Sequence, residues 1–251
     1  MHPNLIAEIG LNHMGNQDLA KEYIDELVTT QIDGLSFQVR EEEFYQRPEK
    51  KHLVLTEEAY RSLRQMVKSS GKEFGVAIAD IDKIDFFESI NTDFYKIIRN
   101  DMTNDLLVKK LLKTGKKIIV STGLSTTEDI DNFIKKFNRN KNFILNHTQL
   151  SYEEGDCNLM AIELLKQRYE VPVSFGSHCS NHNVLYMSLC FRPTDVLFYV
   201  KKDNKIKYPD DKHALQLEDV ATISANMKNL SKAVGTGQKT KIGNKIVEMK
   251  I

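Results

Sequence analysis

Leu5-Ile6-Ala7-Glu8-Ile9-Gly10-Leu11-Asn12-His13-Met14-Gly15-Asn16 runs from an apolar stretch of strand length into a polar turn. Asn16 stands where a helix N-cap is needed, ahead of Leu19, Ala20, Tyr23, Ile24, Leu27 and Val28. Only a helix brings that spacing to one side. Strand, loop and helix in this order make a βα unit. The unit puts Glu8 inside the strand and Asn12 and His13 at its carboxyl end, where enzymes built from such units keep their sites. The same two residues would equally serve a turn that only satisfies its own backbone.

Outward from this stretch the rhythm repeats. Strand-like runs lie at Leu5–Gly10, Gly34–Val39, Phe74–Ala79, Phe94–Ile98, Lys117–Ser121, Phe143–Asn146, Val171–Gly176 and Asp195–Val200. Helical faces follow them: Leu106, Leu107, Leu111 and Leu112 after the fourth, Ile130, Phe133, Ile134 and Phe137 after the fifth. Ser125 with Glu128 reads as a capping box there. Val220, Ile223, Met227, Leu230 and Val234 mark the last helix. Strict alternation implies a parallel sheet, and eight units imply closure. The expectation is an α/β single domain, a (β/α)8 TIM barrel over residues 1–234. No Gly-rich dinucleotide fingerprint or P-loop supports an open sheet.

Two segments break the rhythm. Residues 40–56 form a long polar insertion, carrying Arg-Glu-Glu-Glu and Arg-Pro-Glu-Lys-Lys, that would cover the barrel mouth or contact a partner. Residues 235–251 read as a flexible C-terminal tail. The 251 residues carry 35 basic and 35 acidic side chains, with no block of like charge long enough for a nucleic-acid or membrane-surface stripe. Small-molecule substrates fit this balance better; neither nucleic acid nor membrane is an expected partner. No apolar run is long enough to span a bilayer, and no cleavable signal pattern opens the chain. Three cysteines, Cys157, Cys179 and Cys190, lack close metal spacing, and an odd count argues against a disulfide framework. A cytoplasmic homo-oligomer is the expectation.

The residues at the strands' carboxyl ends are the functional test for a barrel. The first strand gives Glu8, Asn12 and His13, the second Gln38 and Arg40, the fourth Lys96 and Arg99. The fifth begins beside Lys116 and ends in Ser121-Thr122-Gly123. The sixth ends in Asn146-His147-Thr148, with Tyr152 a few residues on, and the seventh in Ser177-His178-Cys179. The eighth is followed by Lys201, Lys202 and Asp203, then by Asp210-Asp211-Lys212-His213. A lysine inside a buried strand needs an anion. Lys96 is therefore paired with a carboxylate such as Glu8 or aimed at a ligand anion. Ser121-Thr122-Gly123 offers hydroxyls and free N–H groups to a phosphate, or simply caps the next helix. His147, His178 and His213 would bind a divalent metal or serve as hydrogen-bonded structural groups.

These residues together resemble the sialic acid synthase (N-acetylneuraminate synthase) family. Ala7-Glu-Ile-Gly-Leu-Asn-His-Met-Gly15 is similar to its opening motif. Phe37-Gln38, Tyr95-Lys-Ile97, Gly115-Lys116, Ser121-Thr-Gly-Leu-Ser125, His147 with Tyr152, Asp156 to Leu159, Ser177-His178, His213-Ala-Leu-Gln-Leu217 and Ala233-Val-Gly-Thr-Gly-Gln-Lys239 follow in family order. The resemblance implies a barrel that condenses phosphoenolpyruvate with the open-chain aldehyde of an N-acylated amino sugar, an acceptor held by manganese or magnesium. By position it makes Glu8, Lys96, His147 and Tyr152 the catalytic group. Asn12, His13, Gln38, Arg99, Lys116, Ser121 and Thr122 would hold substrate and phosphate. His178 would bind the metal; the family's second histidine ligand is absent, and His213 from the following loop is the candidate to replace it.

Departures accompany the matches. The family's lysine before Phe-Gln is Ser36, its Thr-Pro after strand three is Ala77-Ile78, and its Ser or Asn two residues before the tyrosine is Leu150. Its Asp before the metal-binding histidine is Ser177, and its strand-eight histidine falls within Phe198-Tyr-Val-Lys201. The chain also ends where the family usually continues into a small antifreeze-like domain. Two functions are therefore carried forward: an enzyme of this type with altered substrate, and a weakened paralogue that binds a sugar phosphate or a partner enzyme. A barrel running another chemistry is the third.

Overall fold

In the computed structural model, which describes residues 2–99, 101–137 and 142–239, eight parallel strands close on themselves. They are β1 (Asn4–Gly10), β2 (Gly34–Val39), β3 (Glu73–Ile78), β4 (Phe94–Ile97), β5 (Lys117–Ser121), β6 (Phe143–Thr148), β7 (Val173–Ser177) and β8 (Asp195–Lys201). Each pairs with the next, and β1 also pairs with β8, Ile6 opposite Leu197 and Glu8 opposite Tyr199. The (β/α)8 barrel is thus present. A two-residue β9 (Leu215–Gln216) adds to the end of β8 through Val200 and Lys201.

The helices are α1 (Gln17–Leu27), α2 (Glu42–Tyr45), α3 (Glu57–Ser69), α4 (Ile84–Ser89), α5 (Asp105–Lys113), α6 (Thr127–Phe137), α7 (Met160–Tyr169), α8 (Asn183–Ser188) and α9 (Val220–Ala233). None among the described residues is long and apolar enough to cross a membrane. Asn16 caps α1, its Oδ1 accepting from the backbone N–H of Asp18 and Leu19. The cap of α6 sits one residue past the expected Ser125–Glu128 box. Thr126 and Asp129 exchange the bonds instead, while the Ser125 hydroxyl donates to Met102 Sδ. In α5 the buried face is Leu107, Val108 and Leu111, and Leu106 is exposed; two Leu-Leu pairs leave the frame ambiguous in the sequence. The seventh strand starts two residues later than expected, after Pro172, which has no N–H to donate to a ladder.

Alternate side chains fill the barrel. Ile6, Phe94, Ile119 and Leu197 form an apolar plug across it. Gly75 makes room for the plug: a Cβ there would lie 2.0 Å from Phe94 Cζ. On the amino-end side of the plug Lys117 bridges Glu73 at 2.7 Å and Asp195 at 3.5 Å. Two residues further along the same four strands stand Glu8, Lys96, Ser121 and Tyr199. The period of the strands thus lays a polar layer directly on an apolar floor. The larger core lies between the barrel's outer face and the helices, with Leu5, Ala7, Phe37, Tyr95, Val120 and Phe175 among its members.

The segment 40–56 is not featureless. It folds as α2 and a 3-10 turn (Lys51–Leu53), pinned by a satellite core of Leu11, Phe44 and Leu53. After α9 the backbone is tied at Gly235, whose carbonyl accepts from Arg192 Nη2 at 2.8 Å. Of the expected tail, residues 240–251 lie outside the described residues.

Candidate active site

A cavity of about 260 Å³ opens at the carboxyl end of the barrel, lined in part by Gln38, Lys96, Arg99, Ser121, Tyr152 and His178, with Asp210 and His213 from the loop after β8. At its floor Lys96 Nζ lies 2.7 Å from both oxygens of Glu8. Both side chains are buried, at 4 % and 2 % exposure. Each charge has lost its hydration, and the geometry answers with two short bonds; removing one partner would strand the other. The two alternatives for Lys96 therefore meet in one place: it is paired with Glu8 and also faces the cavity.

Gly10 lets the loop carrying Asp210 close over this pair. It ends β1 at φ +57, and a Cβ there would come within 3.1 Å of Asp210 Oδ2 and of Tyr199 Cε1. The β1–β2 register slips between Glu8 and Gly10, bending the strand at that point. Asn12 pins the same loop from below. Its Nδ2 donates to Val200 O at 2.8 Å, and its Oδ1 accepts from Asp210 N at 3.1 Å. Burial and the neighbouring Glu8 push the Asp210 carboxyl up to about 7, against the pull of Lys96. Sequence reasoning misses Asp210, because nothing in its loop position signals that Gly10 brings it over Glu8.

The histidines separate into two groups. His178 and His213 line the cavity with ring centroids 4.7 Å apart, and Tyr152 stacks on His213 at 5.8 Å. Burial, then His213 and Lys96, hold His178 down at about 2; burial, then Lys96 and His182, hold His213 at about 4. Both rings are therefore neutral near pH 7, with lone pairs available. His178 Nδ1 meets Thr148 Oγ1 at 3.0 Å, and neither nitrogen of His213 has a partner. Two imidazoles so placed fit a divalent cation that takes its remaining ligands from substrate and water. Among the described residues no three His, Cys, Asp or Glu side chains form a metal-holding group. The other two histidines point elsewhere. His147 follows Asn146 by one residue on β6 and so faces away from the barrel axis, its Nε2 bonded to Cys157 O at 2.9 Å. His13 is buried beside Phe37, its Nδ1 accepting from Gly15 N at 3.0 Å, and burial holds its pKa down at about 3.

Of Lys116, Thr122 and Ser121, only Ser121 lines the cavity. Lys116 is not at the cavity. It precedes β5 and so lies at the amino end of a parallel strand, its exposed Nζ 3.0 Å from Asn91 Oδ1. Thr122 donates its hydroxyl to Asn146 O at 3.1 Å and serves the barrel wall. Ser121 lines the cavity, with Gly123 N donating to its Oγ at 3.4 Å. The basic residues at the end of β8 are engaged: Lys201 bonds Asp211 at 3.0 Å, and Lys202 pairs with Glu22. Ser36, beside Glu8 in the β1–β2 register, is buried with no partner for its hydroxyl.

A parallel eight-stranded barrel with acids, an amine and imidazoles gathered at its carboxyl end defines the class, and the comparisons give the family. The sequence profile of the NeuB family matches residues 19–239, and the chain belongs to that family. It is 29 % identical to an uncharacterized protein of Methanocaldococcus jannaschii, over 94 % of this chain and 73 % of that one. It is 24 % identical to an N,N'-diacetyllegionaminic acid synthase of Campylobacter jejuni, over 94 % of this chain and 78 % of the relative. It is 23 % identical to the human N-acetylneuraminate-9-phosphate synthase, over 94 % and 72 %. In fold it is similar to the crystal structure of a sialic acid synthetase from Leptospira borgpetersenii, with a TM-score of 0.90, 24 % identity and coverage of 97 % and 88 %.

Proposed function

We propose that the chain condenses phosphoenolpyruvate with the open-chain aldehyde of an N-acylated amino sugar, giving a nonulosonic acid and phosphate. The enol carbon bonds to the aldehyde carbon, water adds to the carbon bearing the phosphate ester, and phosphate leaves. The observation that carries this reading is the Glu8–Lys96 pair, seated on the apolar plug at the floor of the cavity. Lys96 meets the donor's anionic groups, and as it turns to them Glu8 is freed to take a proton from the attacking water. Ser121 and the N–H groups of the turn after it add neutral donors to the phosphate. Asp210, with its pKa near neutrality, gives a proton to the oxygen of the former aldehyde. Gln38 and Tyr152 line the acceptor's side of the cavity. A divalent manganese or magnesium ion, held by His178 and His213, would polarise the aldehyde carbonyl.

One observation favours a second reading, a sugar-phosphate-binding or assembly subunit without turnover. The cavity floor has a single amine, Lys96, already committed to Glu8, with the uncharged Ser36 beside them. Phosphate release from phosphoenolpyruvate, measured across N-acylated hexosamines with manganese present, separates the two. Sugar-dependent release that falls by on the order of 10²–10⁴-fold in Glu8→Gln supports catalysis. Binding of both substrates without release supports the subunit.

A further inference from the structure

The segment 40–56 has a second flank. Where it faces α3 and α4, a cavity of about 500 Å³ opens that shares no lining residue with the one at the strand ends. The reaction proposed above gives it no part. Its volume lies in the range that holds a small organic molecule. Leu55, Tyr60 and Phe87 line it as buried side chains, and Val54, 50 % exposed, stands at its rim.

The Tyr60 hydroxyl breaks the apolar character of this floor. The side chain is only 4 % exposed, yet no group among the described residues hydrogen-bonds to its oxygen. Burial, then the neighbouring Tyr45, keep the phenol protonated by raising its pKa. A buried hydroxyl without a partner costs free energy that a polar atom of a ligand would recover.

Charge at the mouth is unbalanced. Lys83 bonds Glu57 at 2.9 Å, and Asp80 and Glu42 act on the same ammonium through space. Three carboxylates thus share one amine. Arg40 does not redress this, because its guanidinium grips Glu41 twice, at 2.9 and 2.5 Å, and Asp101 lies in the field of Arg40 as well. Asp80 Oδ1 accepts from the backbone N–H of Asp82, which leaves Oδ2 for a further donor. The aromatic wall already attracts one cation, the Arg61 guanidinium, 5.1 Å from the centroid of the Phe86 ring.

We propose that this cavity binds a small organic amine. The ammonium sits at the mouth beside Asp80 and Glu42, and a flat apolar body packs against Phe86 and Phe87. A hydroxyl at the far end of the molecule bonds Tyr60. An anion of the same shape would meet the three carboxylates and be rejected.

Isothermal titration calorimetry at low salt with tyramine, phenethylamine and 3-(4-hydroxyphenyl)propionate tests this. Tyramine is expected to bind with a Kd of about 1 mM or tighter. Phenethylamine, which lacks the hydroxyl, should bind about fivefold more weakly, and the propionate not measurably. Tyr60→Phe removes one unpartnered atom, so the thermal midpoint is expected to hold while tyramine falls to the affinity of phenethylamine. Asp80→Asn keeps the acceptor for Asp82 and should weaken both amines by about tenfold. Failure of tyramine to bind, or binding of the propionate as tight as that of tyramine, would overturn the proposal. Tyramine affinity unchanged in both variants would send the amine to other acids and overturn it too.

Discussion

Glu8 and Lys96 are the residues on which the chemistry turns, and their cost is visible in their surroundings. Neither has appreciable exposure, and the two are joined as a buried ion pair. Glu8→Gln is expected to lower stability by about 3–5 kcal/mol, because it leaves Lys96 buried and unpaired. Adding Lys96→Met should recover much of that loss, although the double variant stays inactive. Urea denaturation of the single and double variants checks this; a double variant as unstable as the sum of the singles would show that the pair is not coupled. The sequence offered Glu8 and Lys96 together because each sits inside an apolar strand, where a charge needs a reason. The family resemblance misled at Lys116: it gave a phosphate-holding role to a lysine that chain order alone puts at the amino end of β5. His147 takes the hydrogen-bonded structural role rather than the catalytic one that the resemblance implies. A shift of one residue on β6 turns a side chain from the barrel axis to its outer wall.

At the scale of elements, the loop between β8 and β9 is the piece that completes the cavity. It brings Asp210 and His213 over a floor built by β1 and β4, and Asn12 ties it down with two bonds to backbone. Asn12→Ala would leave Val200 O and Asp210 N without those partners, at a cost of about 1–3 kcal/mol. The larger effect is expected on kcat, since Asp210 loses its fixed position above Glu8. Hydrogen exchange should quicken at Asp210 and its neighbours while the amides of β4 and β5 stay protected. An unchanged exchange pattern would mean that Asn12 does not hold the loop. The strands and amphipathic helices were legible from period alone, because burial on one face dictates residue choice along the whole element. The caps and the face of α5 were not. Thr126 and Ser125 are both hydroxyl residues, and four leucines fit several helical frames, so only packing decides between them. The reach of Gly10 toward Asp210 was also hidden, being a contact between segments 200 residues apart.

For the molecule as a whole, buried neutral histidines set the response to acid. His13 is held at about 3 against an ordinary 6.5, and burial lowers His147 as well. Below pH 6.5 the unfolded chain takes up protons that the folded chain refuses. The stability present above that pH is therefore lost as pH falls toward the folded values, by about 5 kcal/mol for a shift the size of His13's. Asp210 acts in the opposite sense. Its folded value near 7 lies above the ordinary 3.8, so its contribution declines as pH rises through that window. Burial also raises the carboxyls of Asp101 and Asp195, but with five histidines lowered against these three carboxyls the thermal midpoint is expected to drop steadily below about pH 6.5. A midpoint that stays flat down to pH 4 would contradict neutral burial. The overall architecture was readable because eight repeats of one pattern leave few ways to close. The substrate was not, since it depends on a few side chains that one scaffold exchanges freely.

A crystal structure of the chain soaked with phosphoenolpyruvate tests the central claim most directly. The ligand is expected at the carboxyl end of the barrel, an anionic group bonded to Lys96 and the Glu8 carboxylate released from at least one of its two short contacts. Phosphoenolpyruvate bound elsewhere, with the Glu8–Lys96 pair closed as before, would contradict the account.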